Sequence, residues 1–202
     1  MCPQMERPHN SRPPVLVVAA VRQELGPFLK NGSCGTQVLL TGMGRRRASA
    51  AVRKALRNGS YRCVVSTGFA GGTGPGFRTG DLVVASEVIE AGSLRRWPAG
   101  ETTARLKGSF RVGPFLTVEK LCGDPSAKQE AARRFGAIGV EMETSAVAEA
   151  ASEAGLPWVG VRAILDPAEV EVSIGSWFFF LTAMKVASRS LAQGLAGIIL
   201  PL

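Results

Sequence analysis

Residues 139–147 read Gly-Val-Glu-Met-Glu-Thr-Ser-Ala-Val, an apolar approach that meets two carboxylates around a methionine and then passes into small residues. The pattern predicts a short strand over 137–140 followed by an alanine-rich helix over 142–154, ended by Gly155. Downstream, residues 157–164 form a second strong apolar run, and Asp166 follows it. In an open α/β sheet the ligand crevice lies outside the carboxyl ends of the strands, so acids arriving there from two strands can converge on one ligand. Glu143 and Asp166 are therefore the first candidates for chemistry.

Outward from this stretch, the chain alternates strand and helix patterns. Apolar runs at 15–20, 36–41 and 63–67 suit buried strands. Residues 45–56 carry helical periodicity through Ala48, Ala51, Val52 and Leu56, stopped by Asn58-Gly59. Further strands are expected at 81–89 and 112–118, a helix at 125–135 and a last helix at 175–195, with 91–109 polar and irregular. Strand, helix and strand in this order imply crossover units. The expected fold is a single α/β domain over 15–202, with a central, mostly parallel mixed sheet flanked by helices.

Composition narrows the function. At 202 residues, 46% hydrophobic and 20% charged, the chain can bury a core without disulfide or metal staples. The first fourteen residues hold four prolines and no apolar period, which predicts a loose tail. They lack the apolar core of a signal peptide, and no stretch reaches the roughly 20 apolar residues of a membrane span, so a cytoplasmic location is expected. Cys2, Cys34, Cys63 and Cys122 lack the paired spacing of zinc or redox motifs. The one histidine, His9, lies in the tail. Without a histidine to serve, general acid–base work falls to carboxylates.

The net charge of +8 raises nucleic acid, anionic membrane and phosphorylated ligands as partners. The basic residues fall in small groups, Arg45-Arg46-Arg47, Arg53-Lys54, Arg95-Arg96 and Arg133-Arg134, without interleaved aromatic residues for stacking on single strands. Nucleic acid is therefore not expected. Consecutive helical arginines point about 100° apart, which leaves Arg45 as the one best placed for an anion. It follows Gly42-Met43-Gly44 at a strand-to-helix turn, where backbone N–H groups and the helix dipole favour negative charge. Gly68-Phe69-Ala70-Gly71-Gly72, after another strand, lets backbone approach a flat ligand. Glu24 follows the first strand, so three acids, Glu24, Glu143 and Asp166, share one kind of position.

Taken in order, AAVRQEL (19–25), TGMGRRRASAA (41–51), STGFAGG (66–72), TGDLVVASEV (79–88), GVEMETSAVA (139–148) and VRAILDPAE (161–169) resemble the nucleoside phosphorylase and nucleosidase superfamily. The methylthioadenosine/S-adenosylhomocysteine nucleosidases are the nearest familiar pattern, from about Val15 to Glu169. The resemblance implies cleavage of the N-glycosidic bond of a purine, adenine-type, nucleoside. It assigns Glu143 to the ribose 2′- and 3′-hydroxyls with Met142 packing on the sugar, Asp166 to protonation of the purine at N7, and Glu24 to the attacking water. These roles suit the chemistry: an ionised carboxylate takes two hydroxyl donors, and a protonated purine leaves far more readily than its anion. Phe69, Ala70 and Gly71 would line the substrate site, as would Leu121 and Cys122 in place of an aromatic base-stacking pair.

Three departures matter. Phe69 replaces a small polar residue, Leu165 replaces a serine before the acid, and Ser66 stands where many purine phosphorylases carry a phosphate-binding arginine. Arg22, Gly44 and Arg45 are the alternative phosphate ligands, so water and phosphate both remain open as the nucleophile. Residues 113–148 also look like hopanoid-associated phosphorylases, which would act on adenosylhopane. On that reading Trp177 to Leu181 would receive a lipid tail, although a core or interface stripe is the ordinary role for such a run. No metal or organic cofactor is implied, with inorganic phosphate as the one co-substrate in question. The family expectation is a homodimer or larger homo-oligomer. A non-catalytic nucleoside- or nucleic-acid-binding protein is the competing class, and three retained acids argue against it.

Overall fold

The computed structural model describes residues 12–31, 35–106, 108–169 and 177–199; the side chains at 31 and 177–179 lie outside that description. Cys2, His9 and Cys34 thus fall outside it, as do the side chains of the first three residues of the aromatic run at 177–181. The elements are β1 (Val15–Ala19), α1 (Arg22–Asn31), β2 (Thr36–Leu40), α2 (Arg45–Asn58), β3 (Cys63–Gly72), β4 (Leu82–Glu90) and β5 (Arg96–Pro98). They continue with α3 (Gly100–Ala104), β6 (Arg111–Thr117), α4 (Pro125–Phe135), β7 (Gly139–Glu141), α5 (Thr144–Glu153), β8 (Trp158–Asp166) and α6 (Trp177–Ile199).

β1 is buried at all five positions, and its run of Val-Leu-Val-Val-Ala has no polar face because helices cover both sides. It pairs in parallel with β2 and β3. β3 pairs in parallel with β8, and β4 and β6 form a parallel pair, as do β6 and β7. The antiparallel pairs are β3 with β7, β4 with β5 and β4 with β8. Because β8 joins both β3 and β4, the strands β3, β8, β4, β6 and β7 return on themselves, and β1 and β2 extend from β3.

One face of this sheet meets α1 and α6 through Leu25, Phe28, Leu191, Leu195 and Ile198. The opposite face meets α2 and α5 through Val52, Val147, Ala148 and Ala151. Each fully buried leucine or isoleucine here contributes about 1.5–3 kcal/mol relative to exposure. A smaller cluster, Ile89, Leu116, Ala131, Ala137 and Val140, seats α4 beside β6 and β7.

Several boundaries differ from expectation. Residues 91–109 hold β5 and α3, because the edge strand pairs with β4 although its sequence has no apolar period. The Gly-rich stretch 68–72 is the end of β3 itself, irregularly paired between Ala70 and Gly71 on β8. The last helix reaches Ile199. At the amino end, Pro13 and Pro14 are not loose: their carbonyls accept hydrogen bonds from Arg62 at 2.7 and 3.2 Å. Among the described residues no helix is long and apolar enough to cross a membrane.

Candidate active site

Glu24 lies in the first turn of α1 and is 7% exposed. Its Oε2 accepts the backbone N–H of Ala20 at 2.8 Å and of Val21 at 3.0 Å, and its Oε1 accepts that of Phe69 at 3.3 Å. The carboxylate is thereby fixed between the carboxyl ends of β1 and β3. Burial pushes its proton affinity up, against the opposing pull of these N–H groups and the Arg162 guanidinium. Gly68 explains itself at this point: its φ is +149°, and a Cβ there would stand 2.5 Å from Glu24 Oε1. No residue but glycine fits.

The two acids of the β7–α5 junction separate into different roles. Glu141 is buried and accepts hydrogen bonds from the N–H of Glu143 at 2.9 Å, the N–H of Thr144 at 2.7 Å and the Thr144 hydroxyl at 2.6 Å, with the Thr117 hydroxyl as a further donor. Arg162, 1% exposed, donates to it at 2.8 Å. Burial drives Glu141 toward neutrality, but Arg162 and the two hydroxyls outweigh it and hold the carboxyl below the usual range. The ionised group then serves as the anion at the start of α5.

Glu143 points elsewhere. Its Oε1 accepts the Gly44 N–H at 2.6 Å, across from α2. Burial, and then the charge of the neighbouring Glu141, push its pKa up to about 7. Met142 beside it is half-buried.

Asp166 ends β8 and is 8% exposed. In the sheet it stands opposite Gly71, and Gly71 on its other side faces Val140 of β7, so Asp166 and the β7–α5 junction flank the end of β3. A Cβ at Gly71 would lie 3.4 Å from Asp166 Oδ2. The acid's partner was not foreseen: Lys128 of α4, 0% exposed, forms an ion pair with Asp166 Oδ2 and donates to the Pro167 carbonyl at 3.3 Å. Burial pushes the Asp166 carboxyl up, opposed by the Lys128 hydrogen bond and charge.

The remaining expected residues are placed less uniformly. Phe69 is half-buried and packs against the core under α1 and α6, while its N–H holds Glu24; it is a wall of the core as much as of a pocket. Ala70 is buried. Cys122 lies near Asp166 and Lys128, which both influence its thiol, although burial is the larger effect and pushes it up. Leu121, by contrast, is 75% exposed on the rim of a cleft of about 400 Å³ formed by residues of the β6–α4 loop.

Of the residues expected to hold phosphate, two have protein partners in this structure. Arg45 is ion-paired with Glu90 at 2.6 Å and Glu149 at 3.1 Å. The Gly44 N–H is taken by Glu143. Arg22 is exposed at the first position of α1. Ser66 is buried, accepting from Arg162 at 3.1 Å and donating to Thr144 at 3.4 Å. Among the described residues no cluster of His, Cys, Asp and Glu side chains is arranged to hold a metal ion.

Arg162 and Lys128 were the functional side chains missed from sequence. Lys128 carried a usable signal, since it falls three residues before Ala131 on the buried stripe of α4, where a charge demands a partner. Arg162 sits inside a strand buried at all nine positions, which demands the same.

Three carboxyls, from α1, the β7–α5 junction and β8, are all pushed toward neutrality by burial at the strand ends, an arrangement suited to acid–base chemistry on a small ligand. The chain matches the model of the phosphorylase superfamily over residues 27–105 and 94–199. It is 30% identical to the 5′-methylthioadenosine/S-adenosylhomocysteine nucleosidase of Geobacillus kaustophilus, with 78% of this chain and 79% of that protein covered. Against the nucleosidase of Tolumonas auensis the identity is 29%, covering 71% and 74%. In fold it is similar to the Helicobacter pylori nucleosidase, with TM-score 0.81, 17% identity and coverage of 94% and 99%. The futalosine hydrolase of Helicobacter pylori gives TM-score 0.78 at 16% identity, covering 95% and 100%. The chain belongs to the phosphorylase superfamily. Within that family its sequence resembles the nucleosidases over most of its length.

Proposed function

We propose that this protein hydrolyses the N-glycosidic bond of an adenine nucleoside of the methylthioadenosine/S-adenosylhomocysteine kind. Glu143 holds the ribose hydroxyls, Asp166 gives a proton to the purine, and Glu24 orients and deprotonates the attacking water. As the bond from C1′ to the base breaks, its electron pair goes to the base, which takes the Asp166 proton. The sugar cation is captured by water, whose proton passes to Glu24. A Glu143 carboxyl with a pKa near 7 is drawn to its ionised, acceptor-only form by two hydroxyl donors.

The observation that carries hydrolysis over phosphorolysis is that the protein's own carboxylates already occupy the anion-binding groups. Gly44 N–H is bound to Glu143, and Arg45 to Glu90 and Glu149. Glu24, by contrast, has its carboxylate pinned by backbone at the strand ends, as a water-directing base requires. The test is release of adenine from methylthioadenosine and adenosine against release of hypoxanthine from inosine. Adenine release is expected, and Asp166→Asn should lower it about 100- to 10,000-fold, the range for one general acid. No base release from any of the three, or near wild-type turnover by the variant, would refute the reading.

A further inference from the structure

Resting on that reading, we propose that Lys128 is the positioning residue of the acid, holding one carboxyl oxygen of Asp166 so that the other is left for the departing base. Leu165, the residue before the acid, has an apolar side chain and offers it no hydrogen bond. The donor comes instead from α4, a different element. Lys128 is 0% exposed, its ammonium meets Asp166 Oδ2, and a second bond to the Pro167 carbonyl fixes it at the end of β8. Burying a lysine costs several kcal/mol before its partner offsets it. The same stripe of α4 otherwise presents Ala131, so an apolar residue would have packed there without that cost.

Among the described residues, this ammonium is the counter-charge of Asp166. From α4 comes Lys128, with Asp124 at the helix cap; from the loop before it comes Cys122; from β3 and β7 come Gly71 and Val140, which do not titrate. The proton that moves leaves Asp166 for the base, and the ammonium stabilises the resulting carboxylate until a proton from solvent restores the acid, while Glu24 returns to solvent the proton it took from the attacking water. A buried acid without this partner would hold its proton too tightly to release it. The ammonium thus trades proton affinity for proton delivery.

The experiment is the pH dependence of kcat and KM for adenine release from methylthioadenosine by wild type, Lys128→Met and Lys128→Gln. Both variants should lose kcat, by about 10- to 100-fold for Lys128→Met, with KM within threefold. In both, the alkaline limb of kcat should move to higher pH, because the cation that favours the carboxylate is gone. A role in packing alone predicts no movement of that limb, and an unmoved limb overturns the proposal. If Lys128→Met does not fold, Lys128→Gln decides by the same limb. Activity in wild type with an unmoved limb refutes the role of Lys128 alone, whereas absence of base release in wild type refutes the parent reading.

Discussion

The Glu143 carboxyl is half-buried beside the ionised Glu141, and the binding role proposed for it conflicts with the stability of the empty protein. Its pKa is raised from 4.5 to about 7, so the native state binds this proton more tightly than the unfolded chain. The stabilisation by the neutral form is fully present below about pH 4.5 and is lost as pH rises through about 7. Glu143→Gln keeps an acceptor for the Gly44 N–H without the charge. It should melt with wild type at pH 4.5 and above it at pH 8, by up to about 3 kcal/mol, while losing affinity for ribosides. Thermal melts at the two pH values decide it; a variant less stable than wild type at pH 8 would show that the charge is not a burden. The sequence placed Glu143 at a strand end correctly. The resemblance singled out Glu143 but left Glu141 without a role, because the surroundings that separate the two come from Arg162, Thr117 and Gly44, each brought in from a distant segment.

At the scale of elements, the site is assembled by a polar cluster inside an otherwise apolar sheet. Arg162 of β8 joins Glu141 of β7, Ser66 of β3 and Thr144 of α5 with bonds of 2.7–3.1 Å. Removing the guanidinium leaves Glu141 charged, buried and short of its main counter-ion. Arg162→Met should therefore cost about 3–5 kcal/mol, read by urea unfolding; a loss under about 1 kcal/mol would mean that the hydroxyls alone satisfy Glu141. Elements with local signals were legible. The helix at 125–135 was bounded correctly, since Asp124 caps it by accepting the Ser126 N–H at 3.0 Å and Pro125 opens it. The strand β5 was not, because Arg96-Trp97-Pro98 owes its form to pairing with Glu87 to Ile89 of β4. For the same reason the glycines of 68–72 read as following the strand at 63–67 and not as its continuation: their value lies in the close approach of Glu24 and Asp166, which only the tertiary structure creates.

Across the whole molecule, several arginines of the basic groups in the sequence are engaged by internal ion pairs. Arg45, Arg53 and Arg95 all converge on Glu149, and Arg53 also meets Glu153. This ties α2, the β4–β5 turn and α5 together behind the site and takes from α2 the arginine best placed for a phosphate. The order of six motifs was enough to recognise the family from the chain alone, since that order fixes which strand ends meet. The choice of nucleophile was not readable there, because it depends on whether Gly44 and Arg45 are free or engaged. The account is tested most directly by running the reaction in ¹⁸O-labelled water with methylthioadenosine, with and without inorganic phosphate, and analysing the sugar product by mass spectrometry. The prediction is one ¹⁸O at the anomeric hydroxyl of the free sugar and a rate indifferent to phosphate. A sugar 1-phosphate as product, formed at a rate that depends on phosphate, would contradict it.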